Sequence, residues 1–277
     1  MDRRSVVVTG ASSGIGRACA SRLARAGMNV FAGVRKNADA DALKTDVPAI
    51  TTLKIDVTDR ASLEAAAAEV SEATGNRLDG LVNNAGIAVL GPLELLPLDR
   101  LRRQFEVNVV GLVSSTQVFL PALRAARGRI VNMGSIAGRA PALPLMGPYA
   151  GSKWTVEALT DALRAEVQAW GIRVSLVEPG NIKTPIWDKG DDELADLSDE
   201  GRQLYGALIE RGRKLIRLFE AQGIPPDKVA GKVEHALTAS IPRTRYLVGI
   251  DAYLRAHVEA RVPHRLRDAV VRRIVKH

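Results

Sequence analysis

Short apolar runs rich in valine, isoleucine and leucine recur at residues 6–9, 29–33, 52–56, 80–83, 129–133 and 173–178, separated by longer stretches with helical spacing of apolar positions. Runs that are apolar at successive positions predict strands buried on both faces, and their alternation with helices predicts repeated β-α-β units in a parallel sheet. One helix is predicted over 62–74, where Ser62 can cap an alanine-rich stretch. Others are expected near 101–122 and 152–170. The fold expected is a single-domain, doubly wound parallel sheet (Rossmann fold) of about seven strands with helices on both faces, its ligands at the carboxyl ends of the strands.

After Thr184 the rhythm gives way to a polar, acidic stretch, WDKGDDELADLSDEG, and helical character returns around 204–219. Residues 185–225 are read as an insertion over the site, a solvated loop being the competing description. GIPPDKV resembles a turn opening a helix at Pro226 or Asp227, and a last strand over 246–248 precedes a basic tail from Asp251 to His277. No internal repeat or linker divides the chain, so residues 1–277 are read as one domain.

Composition narrows the picture. Forty-six per cent hydrophobic residues suffice for a substantial core in 277 residues. The formal charge of +8 would suit nucleic acid, a membrane surface or an anionic ligand, but the basic residues are dispersed and aromatics make up only 4%, so no nucleic-acid partner is expected. The N-terminal MDRRSVVVTG enters a strand-like run at once, and no run of about 18 uninterrupted apolar residues occurs, so a cytoplasmic location is expected. The single cysteine, Cys19, falls in a predicted helix and reads as a buried, inert thiol. No metal site is expected.

The first strand runs into Gly10, Ala11, Ser12, Ser13, Gly14, Ile15 and Gly16 and then into a helical pattern. Glycines at this spacing permit a tight turn and close approach of a pyrophosphate to free N–H groups at a helix N-terminus. The second strand ends at Arg35 and Lys36, with no acidic residue to bind a ribose 2′-hydroxyl. An arginine here can pair with a 2′-phosphate, which favours NADP over NAD.

Tyr149 and Lys153 are four residues apart and would share a helix face. A nearby ammonium favours a phenolate, so Lys153 would lower the Tyr149 pKa and poise it for proton exchange. Alone, such a pair is more often a surface pair; its company here is Asn83-Asn84-Ala85-Gly86 after the fourth strand, Ser135 after the fifth and Pro179-Gly180-Asn181-Ile182-Lys183-Thr184 after the sixth. Through these motifs, between about residues 6 and 184, the chain resembles the short-chain dehydrogenase/reductase family; Phe31–Arg35 and Tyr246-Leu247-Val248-Gly249 more loosely resemble its hydroxysteroid and retinol dehydrogenase branch.

The resemblance implies that Tyr149 is the catalytic acid and base, that Ser135 hydrogen-bonds the substrate oxygen and that Lys153 holds the nicotinamide ribose. It implies that Asn108 positions a water in a proton relay, the competing description being a helix-distorting amide with its partners satisfied. Asp56 and Val57 would contact the adenine, Asn83, Ala85 and Gly86 would line the adenosine side, and Pro179, Gly180, Ile182 and Thr184 would embrace the nicotinamide. The stretch between Ser135 and Tyr149 is one residue longer than the family's usual spacing, and Pro141 and Pro144 suggest a loop that absorbs it.

The activity implied is NAD(P)-dependent hydride transfer to or from an alcohol or ketone, with an apolar substrate favoured; a catalytically silent nucleotide-binding regulator is the alternative. The family's helix contacts imply a homodimer or homotetramer. For the tail, packing against the body or a sister subunit is favoured over peripheral membrane contact.

Overall fold

The computed structural model describes residues 3–187 and 198–276. Seven strands, β1 (Ser5–Val8), β2 (Asn29–Val34), β3 (Thr51–Lys54), β4 (Gly80–Asn83), β5 (Arg129–Met133), β6 (Arg173–Pro179) and β7 (Arg245–Val248), form one parallel sheet in the order β3-β2-β1-β4-β5-β6-β7. Val6, Val7 and Val8 lie at most 1% exposed, and Leu81, Val82, Ile130 and Val131 are fully buried, which is why the central strands read as unbroken apolar runs. The order reverses between β1 and β4, so the loops leaving these two strands diverge and open a crevice at their carboxyl ends.

The helices are α1 (Gly14–Arg25), α2 (Asn37–Asp46), α3 (Arg60–Thr74), α4 (Leu98–Phe105), α5 (Gly111–Ala126), α6 (Gly147–Glu166), α7 (Asp199–Gln222), α8 (Pro226–Thr238), α9 (Ile250–His257) and α10 (His264–Lys276). One face of the sheet packs on α1 and α8 through Leu23, Val229, Val233 and Leu237. The other packs on α3 and α5 through Leu63, Val70, Phe119 and Leu123. A π-helical turn, Glu106–Val110, joins α4 to α5 without a break. The run Leu98–Ala126 is long and apolar enough to cross a membrane by length and composition alone, but its Phe119 and Leu123 belong to the core.

Several boundaries differ from expectation for local reasons. Asp59, not Ser62, caps α3, its carboxylate accepting from the N–H groups of Ala61 and Ser62. Ser62 instead accepts from Asp56 N at 3.0 Å and donates to the Lys54 carbonyl at 3.2 Å, pinning the turn after β3. Helix α6 starts at Gly147 with Pro148 in its first turn, so Tyr149 and Lys153 both lie on its opening turns. Of the segment 185–225, residues 188–197 lie outside the described residues; the remainder is largely α7, a 24-residue helix opened by the Ser198 cap. The tail contains α9 and α10.

Candidate active site

The turn after β1 has the backbone its glycines allow. Gly10 and Gly14 take φ of +65° and +52°, a left-handed region that side chains disfavour. A Cβ on Gly16 would lie 2.1 Å from the Gly10 carbonyl oxygen, so α1 can approach the turn only there because the side chain is absent. No side chain caps α1 at Ser13, which leaves its first N–H groups facing the crevice. The expected pieces converge here. A cleft of about 720 Å³ is lined by Gly10, Ser12, Ser13, Gly14, Ile15 and Gly16, by Arg35, Asp56 and Val57, and by Ala85 and Gly86. Ser135, Tyr149, Lys153, Pro179, Gly180, Ile182 and Thr184 complete its walls.

At the adenosine end Arg35 is exposed at the mouth, well placed for an anionic substituent. Burial works to raise the pKa of Asp56, but hydrogen bonds from the Thr58 backbone and hydroxyl and the charges of Arg35 and Arg103 outweigh it and hold the carboxyl below its usual range. Arg103 and Glu106 also line this end, which no motif indicated.

Asn83 does not line the cleft. It is the last residue of β4 and points into the structure, donating to Thr116 Oγ1 and Asn132 Oδ1, both at 2.9 Å, and it ties β4 to α5 and β5. Its neighbour Asn84 takes the expected place, donating to the Thr9 and Gly10 carbonyls at 3.0 Å each. Thr9 Oγ1 accepts in turn from Asn84 N at 3.0 Å and Ala85 N at 3.1 Å, so the two loops that diverge from the sheet are held to each other.

Asn108 also lies away from the cleft lining, in the π-helical turn. Its Oδ1 accepts from Ile87 N at 2.9 Å, and its Nδ2 donates to Ile87 O at 3.0 Å and Ser152 Oγ at 3.1 Å. These bonds tie the segment after β4 to the π-helical turn and to α6. Gln104, one helical turn earlier and fully buried, does the same for Val89 N at 2.6 Å and Ile87 O at 3.0 Å and also donates to Ser152 Oγ at 3.1 Å. In the sequence, only its spacing of four residues from Asn108 marks Gln104.

At the far end Ser135 and Tyr149 line the same part of the cleft, the Ser135 hydroxyl close enough to favour the phenolate, so the turn Ile136–Gly138 and the loop after it absorb the additional residue between them. Burial pushes the Tyr149 phenol above its ordinary value, and the nearby Ser135 hydroxyl offsets this only in part. The expected depression by Lys153 is not what dominates in the protein alone. The Lys153 ammonium lies 5.8 Å from the tyrosine ring centre and donates to the Met133 carbonyl at 2.8 Å. Burial lowers the Lys153 pKa to about 8, with the charge of Glu157 acting against the fall. Trp187 packs edge-on to Tyr149, ring centres 5.3 Å apart, and lines the cleft with Ile186 and Ala88; on its other side it packs against a buried cluster of Leu90, Leu145 and Ile209. Asp251, outside every motif, accepts from Asn181 N at 2.6 Å and holds the turn after β6.

The donor set fits a dinucleotide. A glycine cradle with an uncapped helix start suits a pyrophosphate, and paired hydroxyls beside a buried ammonium suit a reacting carbonyl at the other end. Among the described residues no cluster of histidine, cysteine, aspartate or glutamate could hold a metal ion.

Comparison with known proteins agrees with this arrangement. The family model described as short chain dehydrogenase matches residues 4–195. An NADPH-dependent 3-dehydrocapnine reductase from Ornithobacterium rhinotracheale is 37% identical over 96% of this chain and 95% of its own. Human retinol dehydrogenase 5 is 38% identical over 96% and 87%. A Burkholderia phymatum short chain dehydrogenase/reductase solved with NAD superposes with a TM-score of 0.79, 27% identity and coverage of 97% and 95%. A Burkholderia cenocepacia relative solved with NADP gives 0.74, 26%, 99% and 98%.

Proposed function

The chain belongs to the short chain dehydrogenase family and is an NAD(P)-dependent oxidoreductase; from that premise we propose that it uses NADP(H) to interconvert an apolar ketone and its alcohol, with Tyr149 as proton donor and acceptor. The observation that carries this reading is the convergence of Ser135, Tyr149 and buried Lys153 in the same cleft as the glycine turn. The dinucleotide, when bound, supplies or accepts the hydride.

The glycine turn and the start of α1 would hold the pyrophosphate, and Arg35 the 2′-phosphate. Lys153 would hold the nicotinamide ribose, and Thr184 with the turn after β6 the carboxamide. Ser135 Oγ and Tyr149 Oη would donate to the carbonyl oxygen, where negative charge grows in the transition state. Tyr149 then gives up its proton to that oxygen, and the neighbouring ammonium stabilises the phenolate left behind. The apolar lining of the cleft beside Tyr149, made by Ala88, Val89, Ile186 and Trp187, supports an apolar substrate, because it offers few polar partners.

Tyr149→Phe removes one oxygen and leaves the packing. We expect carbonyl-dependent loss of NADPH absorbance to fall about 10²–10⁴-fold while the NADPH Kd stays within about threefold. Turnover near the wild-type rate would refute Tyr149 as the proton donor. A homodimer or homotetramer is proposed as well, supported by Val110 and Trp154, both about half exposed on the outward faces of neighbouring helices. A monomeric mass in light scattering would refute it.

A further inference from the structure

One turn beyond Lys153 on the same face of α6 lies Glu157, a nearly buried carboxylate that no motif and no step above employs. Its Oε2 accepts from Arg245 on β7. Its Oε1 is buried and has no hydrogen-bond partner among the described residues. That oxygen lies 3.3 Å from where a Cβ on Gly134 would stand, directly beneath the turn between Met133, whose carbonyl receives the Lys153 ammonium, and Ser135. Glycines at 134 and 138 make the approach possible, a Cβ at 138 lying 3.2 Å from Glu157 Cγ.

A second carboxylate, fully buried Glu178 on β6, lies in the same cluster. Its Oε1 is 3.5 Å from both Arg139 and Arg245, and its Oε2 has no hydrogen-bond partner among the described residues. Arg245 also donates to Asp161 at 2.7 Å. The charged groups around Glu157 are thus Lys153 and Asp161 on α6, Arg139 after the Ile136–Gly138 turn, Glu178 on β6 and Arg245 on β7. Stability gives little reason for such a cluster, since well-packed apolar residues often replace buried ion pairs without loss.

We propose that Glu157 is a positioning residue for the reaction, a carboxylate whose charge beneath the Met133–Ser135 turn keeps the Lys153 side chain an ammonium. This inference rests on the function proposed above. Burial and the charge of Glu178 raise the Glu157 pKa to about 7, with Arg245 and Arg139 opposing, so its charge is present in the range where Lys153, at about 8, begins to lose its proton.

The test follows NADPH affinity by fluorescence and kcat/KM for carbonyl reduction from about pH 6 to about pH 9. Glu157→Gln keeps the shape and removes the charge. Its profile should coincide with wild type at about pH 6, where Glu157 is itself largely protonated, and part from it as pH rises through about 7. The alkaline limb should move down by about one pH unit, a tenfold change in the ratio of ammonium to amine. Arg139→Gln, at a partly exposed position, retains Glu157 but raises its pKa, and should give a smaller shift in the same direction; it decides the matter if Glu157→Gln does not fold.

Profiles that superpose at every pH, or a uniform loss at every pH with no moved limb, would overturn the proposal, the second outcome marking a purely structural role. Wild-type protein that binds no dinucleotide would overturn the function and this inference together. Superposed profiles on an active wild type would overturn this inference alone.

Discussion

Gly16→Ala isolates the closest contact in the nucleotide turn. A methyl group there would stand 2.1 Å from the Gly10 carbonyl oxygen and 2.4 Å from Asn84 Nδ2, more than 1 Å inside van der Waals contact with each. The first neighbour is backbone, and the second is an amide held at 3.0 Å by two carbonyls, so neither yields without loss. Overpacking costs about 1–3 kcal/mol, and each tie of Asn84 that is left unmade adds about 1–3 kcal/mol. Better helix propensity returns only about 1 kcal/mol. A net loss of about 3 kcal/mol follows, roughly 10 °C in Tm for a chain of this size. Because the displaced atoms form the phosphate cradle, the NADPH Kd should rise at least about tenfold, which is about 1.4 kcal/mol. Gly206→Ala is the matched control, since a Cβ in that helical position meets nothing within 4 Å. It should stabilise by about 0.5–1 kcal/mol and leave NADPH affinity alone. Thermal melts and calorimetric titration measure both. A Gly16→Ala protein with wild-type Tm and Kd would refute the reasoning, as would two variants that lose stability equally.

Other outcomes follow from single groups. Arg35→Asp should weaken NADP binding by about 10–100-fold, the value of a charge-assisted hydrogen bond, and weaken NAD binding far less; calorimetry with both dinucleotides decides, and unchanged NADP affinity would contradict the assignment. The folded pKa of Glu157, about 7, lies above its ordinary 4.5, so the native state holds the proton longer and stability should fall as pH rises through that window. Glu157→Gln should flatten this part of a denaturation-against-pH curve, and an identical slope in wild type and variant would count against the burial argument. Burial drives the Cys19 thiol up to about 12, with the charge of Asp227 adding to the rise. Thiol-specific reagents should therefore label it only on unfolding, and rapid labelling of native protein would show the site to be open.

Strands β4 and β5 begin and end where the apolar runs do, because both faces of the central sheet are covered and the buried amides within them, Asn83 and Asn132, pair with each other. The cleft lining was legible for a similar reason, since glycine, hydroxyl and proline positions at strand ends have few other uses in a parallel sheet. What escaped depended on direction and distance. Asn83 and Asn84 are indistinguishable in sequence, and only the end of β4 decides which enters the cleft and which ties the sheet to α5. Asp59 and Ser62 are both good caps, and the turn after β3 claims the serine first. The Tyr149 pKa turned on burial, which a helix wheel does not contain. Glu157 and Arg245 are 88 residues apart, and their pairing exists only because β7 closes the sheet beside β6.

The hydroxyl of Ser152 lies between Tyr149 and Lys153 in sequence and receives hydrogen bonds from both Gln104 and Asn108, whose amides grip Ile87 and Val89. Ala88, between those two residues, packs against Tyr149, so the segment after β4 and the opening turns of α6 are buttressed against each other where the proton donor sits.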